Sequence, residues 1–483
     1  MKRFLLNFSI GFSVFFFCSC SSQVSSPGIP TPHEPVSITP HVRAEWRLKN
    51  GLSVVFFEDK ELPLLEGELY IPGGALWEDV EKLGVIGVMG IQMREGGAGS
   101  RSPEQLDREL EKLAAGIGSN FGSEWGKVRF SSLVADVNRV FPLFADVALR
   151  PRFDDEPLTL WRVQALESIK RRKDDPGTIA FMSLAELLYK GSAYGRTTTS
   201  AHVRKISKAD LIAAHKKWMR PDNALLVLSG DLDRAEAEAL TRRYFSSWKS
   251  GGVEELAPPP ITSEPEPAIY FIPGPFQQAT VAIGELGVPR LTPDYVAIEA
   301  FNEILSGSFG SRLFARIRTE LGLAYSVNGG ISPGTVRGIN QVALQTRTEM
   351  TGAAVEEVFH VLKALQQDGP TSKELSDSQK AIINSFVFKF SSIQKVAGRT
   401  ALLRMLKYPP DYDAVHLGKV RGLNSSEVQT VARNRIDLSK FIIVVVGDER
   451  AYDTLKKLKE SKNSELASLP LFRASFSEKL ELK

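Results

Sequence analysis

Residues 207–231 read SKADLIAAHKKWMRPDNALLVLSGD, and residues 424–448 read NSSEVQTVARNRIDLSKFIIVVVGD. Each stretch opens on a helix-capping residue, Ser207 or Asn424, with a carboxylate three positions on, Asp210 or Glu427. At that spacing the two side chains satisfy the first unpaired amides of a helix. A helix follows, to about Met219 in one copy and Arg433 in the other, then an apolar β-rich run at 224–229 or 441–446, then Gly-Asp. Both carboxylates stand 20 residues before that glycine, and the copies are offset by 217 residues. Cap, helix, strand and Gly-Asp in one order at one spacing mark an internal duplication.

Working outward, residues 249–268 (KSGGVEELAPPPITSEPEPA) are rich in Gly, Pro and Glu and have no periodicity, which predicts a linker between the copies. The first copy begins with WRLKNGLSVVFF at 46–57, where Asn50-Gly51 between two strand-like runs predicts a hairpin. Strands then alternate with helical stretches such as 103–115 and 157–173. The expected class is α+β: two similar halves, 45–248 and 269–483, each a mainly antiparallel sheet covered by helices on one face.

Composition narrows the function classes. The 483 residues are 43% hydrophobic and 24% charged, enough for more than one cored domain. Sixty basic and 57 acidic residues leave a net charge of +3 without long like-charged runs, so no nucleic-acid partner is expected. The two cysteines, Cys18 and Cys20, leave the folded body without a disulfide or a thiolate metal site. Lys2 and Arg3 precede an apolar run at 4–17 that is too short for an ordinary membrane span and ends in Phe-Cys-Ser-Cys-Ser-Ser. This resembles a bacterial lipoprotein signal at 1–19, cleaved before Cys20, whose thiol is then acylated. An ordinary signal peptide is the alternative. A Pro/Ser-rich tether over 20–44 would hold the body just off the membrane. The expected location is the bacterial envelope, facing the periplasm, with the outer membrane preferred because Ser21 follows the cysteine.

Four further pieces carry a family resemblance: LKNGLSVVFFED at 48–59, RRKDDPGTIA at 171–180, KKWMRPDNALLVLSGD at 216–231 and GSRLFARIRTELGLAYS at 310–326. Together they resemble the insulinase/pitrilysin family of metallopeptidases, which includes the mitochondrial processing peptidase and its bacterial relatives. The resemblance implies a pair of αβ halves closing like a clamshell over an extended peptide. Active members hold zinc through His-x-x-Glu-His on a helix of the first half, with the glutamate as general base toward the metal-bound water. Aligned on Gly84, those three positions are here Gly87, Gly90 and Ile91. The third ligand position falls on Ser168. Its neighbour Glu167 would need a one-residue slip, which turns a helical side chain by about 100°.

No other metal motif replaces this one. His33 and His41 lie in the tether, and His202, His215, His360 and His416 are scattered through the body. Asp174-Asp175-Pro176 reads as a helix-ending turn, and the glycines at 96–99 lack the strand and lysine of a phosphate loop.

In the second half, a glycine-led loop enters a helix bearing Arg318, and after the break at Gly322 a strand bears Tyr325. A cation and a phenol beside a sheet suit a peptide carbonyl, and the resemblance gives them the role of binding substrate backbone near the scissile bond. A purely structural reading stands beside this. Arg318 would complement the helix dipole, and Tyr325, sharing a strand face with Leu323 and Val327, would lie in the core. The pattern of loss implies a non-catalytic, membrane-tethered subunit that binds extended peptides and completes the site of a zinc-bearing partner, with no metal of its own. The alternatives are a stand-alone periplasmic peptide-binding lipoprotein and a zinc peptidase with unconventional ligands.

Overall fold

Two unbroken apolar runs, VVFF at 54–57 and LLVL at 225–228, set the first sheet. Strand side chains alternate between faces, so a run that is apolar at every position must be covered on both. The computed structural model describes residues 43–252, 256–262, 264–461 and 464–482, and the expected signal, Cys18, Cys20, His33 and His41 lie outside the described residues. The runs form β2 (Ser53–Glu58) and β6 (Leu225–Gly230), paired in parallel. With β1 (Arg43–Arg47), β3 (Leu64–Pro72), β4 (Gly116–Phe121) and β5 (Trp125–Leu133) they make the order β1-β2-β6-β3-β5-β4. The remaining pairings are antiparallel, including the β1–β2 hairpin about Asn50-Gly51.

The second sheet repeats the plan. It comprises β7 (Ile269–Pro273), β8 (Gln278–Leu286), β9 (Ala324–Ser332), β10 (Ile339–Arg347), β11 (Ile442–Gly447), β12 (Leu471–Phe476) and β13 (Leu480–Leu482). Their order is β13-β12-β7-β11-β8-β10-β9. Strand β11 lies parallel to β7 and antiparallel to β8, as β6 lies between β2 and β3. The helices before them, Lys208–Trp218 and Ser425–Arg435, both start in capping boxes, Ser207 with Asp210 and Asn424 with Glu427. The duplicated stretches therefore occupy equivalent places, and β4 and β9 are equivalent outer edges.

One face of each sheet packs on helices of its own half. The other face departs from expectation, because it is also covered, and the cover comes from the opposite half. Val55, Phe57, Leu225 and Val227 of the first sheet pack on Ile393, Ala397 and Ala401 of the helix Ile393–Met405. Ala282, Ile442, Val444 and Val446 of the second pack on Ile179, Leu184 and Leu188 of the helix Pro176–Leu188. The two-faced strands require this second layer, since leaving it off would expose a contiguous apolar surface.

In the second sheet, Glu285 on β8 accepts from the Asn340 amide at 2.9 Å and the Asp437 N–H at 2.9 Å. Burial pushes its carboxyl up to about 7 from an ordinary 4.5. Between those values the folded protein holds a proton that the unfolded chain has released, so stability falls as pH rises through that window. Denaturant midpoints measured across this range should fall in the wild type and flatten in Glu285→Gln. Leu184 is fully buried on the second sheet, and Leu184→Ala should cost about 2–5 kcal/mol of unfolding free energy in the same assay.

Candidate functional site

The helix that would carry a metal motif is Val85–Glu95. Its N-terminus is held by the Glu78 carboxylate, which accepts from the Gly84 N–H at 2.8 Å and the Ile86 N–H at 2.5 Å. Burial pushes the Glu78 carboxyl up, while these two bonds and Arg196 oppose the shift. The helix runs along the free edge of β4, where Arg94 Nε donates to the Ile117 carbonyl at 3.2 Å and the Ser119 hydroxyl donates to the Gly90 carbonyl.

Gly87 and Ile91 are four residues apart on a half-buried strip of that helix, the spacing two ligands would need, and neither has a donor atom. Gly90 is different. A β-carbon there would lie 2.6 Å from the Phe121 amide nitrogen and 3.0 Å from the Asn120 carbonyl carbon, both backbone atoms of β4. The helix sits against the strand at a distance only glycine allows, and a general-base glutamate has no room. At Gly87 a β-carbon meets nothing within 4 Å.

Ser168 is exposed on the helix Asp155–Arg171. Its neighbour Glu167 is exposed too, and Arg171, 2.9 Å away, holds its carboxyl below the usual range. The histidines are engaged elsewhere. His202 caps a helix through Thr199, His215 Nε2 lies 2.9 Å from the Ala148 carbonyl, His360 faces Glu357 at 3.3 Å and His416 faces Glu299 at 3.2 Å. Among the described residues no three His, Cys, Asp or Glu side chains converge as a metal site. The residues at the family's zinc positions do not fit a zinc ion.

The second candidate cluster begins in a loop at Phe309 and continues into the helix Phe314–Glu320. That helix is a π-helix, where an α-helix was expected, and the Leu321 N–H reaches the Arg316 carbonyl at 3.2 Å. Single wide turns of this kind recur at functional sites. Gly322 then reverses the chain at φ 60°, a conformation that costs glycine nothing, and β9 starts at Ala324.

Pairing with β10 slips at this point. Ala324 faces Thr346 and Ser326 faces Gln345, so Tyr325 is the extra residue of a bulge. The bulge re-aims its side chain. Ala324 and Val327 are buried, whereas Tyr325 is 73% exposed, which rules out the core reading of Tyr325. Leu323, grouped with it on the sequence pattern, lies outside the strand.

Arg318 and Tyr325 are brought together. The Arg318 guanidinium lies 4.6 Å from the ring centres of both Phe314 and Tyr325, and Phe309, 78% exposed, meets Phe314 edge-on at 4.7 Å. Of the three arginines in this stretch, Arg312 is paired with Glu374 at 2.7 Å and Arg316 with Glu357 at 2.6 Å. Arg318 makes no ion pair with any described residue. The result is a half-buried cation held between two aromatic faces, with its charge uncompensated.

Beyond it, the free edge of β9 is sealed by the helix Tyr295–Ser306. Asn302 bonds both the Ile331 N–H and carbonyl, at 2.8 and 2.9 Å, and Ser306 bonds those of Gly329. The edge around Tyr325–Val327 carries no such cap among the described residues. No hydrogen bond, ion pair or ring contact between described residues joins 309–326 to the helix Val85–Glu95. Phe309 and Phe314 escaped the sequence reading, although the spacing of four between Phe314 and Arg318 is the signal that finds such a pair.

The family described as the peptidase M16 inactive domain matches residues 205–382. The non-peptidase homolog YmxG of Helicobacter pylori is 22% identical over 417 residues, covering 82% of this chain and 92% of that protein. The solved peptidase M16 inactive domain from Pseudomonas fluorescens superposes with a TM-score of 0.77 at 27% identity, over 84% of this chain and 98% of that one. The periplasmic protease PqqL of Escherichia coli shares the fold, with a TM-score of 0.73 at 18% identity, over 92% of this chain and 49% of that one.

The contact between Gly90 and β4 is directly testable. Gly90→Ala should lower stability by about 1–3 kcal/mol, because backbone must move. Gly87→Ala, into open space on a helix, should raise it by roughly 0.5–1 kcal/mol. Denaturant melts of the two variants would check both signs.

Proposed function

Because the chain belongs to the insulinase-type M16 peptidase family as a member without the catalytic motif, we propose that it is a non-catalytic subunit that grips extended peptides for a zinc-bearing partner. The observation that carries this reading is Arg318. A guanidinium between the Phe314 and Tyr325 rings is held in place without being neutralised, so its donors remain available to a peptide carbonyl. Tyr325, turned outward by the bulge, adds a phenol beside it. The uncapped edge of β9 next to them offers backbone groups to an extended chain.

A grip of this kind accelerates nothing by itself. Proton transfer and water activation need the groups that Gly87, Gly90, Ile91 and Ser168 do not supply, so they must come from another subunit. In the complex, Arg318 would hold the carbonyl of the peptide while the partner's metal polarises it. Zinc in that partner, the heterodimer and the peptide substrate are parts of this proposal. So is anchoring at the envelope through Cys20, which rests on the charged and apolar N-terminal run followed by the cysteine.

The test is co-purification with a zinc-bearing family subunit, followed by peptide hydrolysis. Adding this chain should raise kcat/KM, and Arg318→Ala should remove about tenfold or more of that gain while leaving the melting temperature unchanged. A partner equally active with the wild type, with Arg318→Ala and alone would overturn the proposal.

A further inference from the structure

The crossing helix Ile393–Met405 covers the inner face of the first sheet at β2 and β6, where that face is apolar. Farther out, on β3, β5 and β4, the same face is polar, and a cavity of about 350 Å³ lies between it and the helix. That size suits a small ligand, for which pockets of about 300–1,000 Å³ are usual. The strand register lays out the floor. Glu66 stands opposite Ser131 and Glu68 opposite Arg129, while Ser131 and Arg129 stand opposite Gly116 and Gly118 of β4. Residues directly opposite in an antiparallel sheet point to one face, so two carboxylates, one guanidinium and two bare glycines share this floor.

Two of those charges have no partner. Glu68, the carboxylate opposite Arg129, is engaged by the Tyr70 hydroxyl and by Lys127 at 2.6 Å. Arg129 is exposed and makes no hydrogen bond, ion pair or ring contact with any described residue. Its side chain lies along β4, where Gly118 leaves room: a β-carbon there would stand 3.1 Å from Arg129 Nε. Glu66 is half-buried. Burial pushes its carboxyl up, a hydrogen bond from Ser131 opposes the shift and Glu68 adds to it, and no described cation acts on it. A carboxylate and a guanidinium one rung apart would gain charge-assisted bonds by closing on each other. Here they line one cavity without meeting, and at Gly116 between them and the strand edge a β-carbon would meet nothing within 4 Å.

Opposite charges held apart over an open floor select a ligand that carries both complements. We propose that this cavity binds an amino-acid-type zwitterion, its ammonium on Glu66, its carboxylate on Arg129 and a small apolar side chain against Val227 and Ala397. A single amino acid and a short peptide share that chemistry. The site is separate from the Arg318 cluster and does not depend on the peptide-gripping reading.

Isothermal titration calorimetry of the full chain with valine, valylvaline, N-acetylvaline and valinamide tests this. Valine should bind once per chain, and each derivative that keeps a single charge should bind about tenfold more weakly. Arg129→Gln should weaken valine about tenfold and leave valinamide unchanged, whereas Glu66→Gln should weaken valine and leave N-acetylvaline unchanged. Melting temperatures should not fall in either variant. Gly116→Leu, which fills the open floor, should weaken every ligand about tenfold or more and keeps the test decisive if a charge variant misfolds. Tighter binding of valylvaline than of valine identifies a short peptide as the natural ligand, and the reverse a single amino acid. The proposal is overturned by the absence of saturable heat with both, by equal binding of valine and its single-charge derivatives, by charge variants that weaken all ligands alike, or by unchanged binding in Gly116→Leu.

Discussion

The structure depends on strands that are apolar on both faces. In β2 the side chains of Val54 and Phe56 enter one core, and those of Val55 and Phe57 enter another. In β11, Ile443 and Val445 face one way and Ile442, Val444 and Val446 the other. Each sheet therefore needs two layers, and each half of the chain supplies one layer to itself and one helix to its counterpart. The helices Pro176–Leu188 and Ile393–Met405 cross in opposite directions. Neither sheet is fully buried without the other half, so the two copies of the duplicated plan are coupled through their cores as well as through a linker.

That coupling leaves the outer strands β4 and β9 as the places where chemistry can differ. Each is flanked by a helix that meets its free backbone edge, in one case through Arg94 and Ser119, in the other through Asn302 and Ser306. Along β4 the flanking helix has closed onto the strand at Gly90, where a family member with a working site needs a carboxylate. Along β9 the seal stops short of Tyr325, and a bulge beside a π-turn presents an arginine and a phenol outward. One edge meets a helix whose Gly87, Gly90 and Ile91 carry no reactive group, while the other presents an exposed tyrosine beside an arginine, the asymmetry on which the proposed role rests.

The electrostatics point the same way. Most arginines of the second half are paired: Arg312 with Glu374, Arg316 with Glu357 and Arg435 with Asp294. Arg318 makes no ion pair with a described residue, and the two flanking rings attract its guanidinium instead. Of the second-half arginines without an ion pair to a described residue, Arg318 is the one set between two aromatic rings.

The sequence by itself determined the duplication, the class of fold and the loss of metal ligands. The capping boxes at Ser207 and Asn424, the apolar runs and the Gly-Asp stops are local signals, and glycine or isoleucine at a ligand position lacks a donor in any fold. It also set Arg318 and Tyr325 seven residues apart, but left open whether they point outward or into the core. The tertiary structure decided that, because the bulge exists only in register with Gln345 and Thr346 of β10. It alone also decided that Gly90 touches β4, that each half lends a helix to the other and that Arg318 has no carboxylate partner among the described residues. Each of these depends on groups brought together from distant parts of the chain, such as Ala401 against Val55 or Leu184 against Val444. Hydrogen-bond register and close packing are set by such pairs, and the pattern of one segment read alone contains no record of its partner.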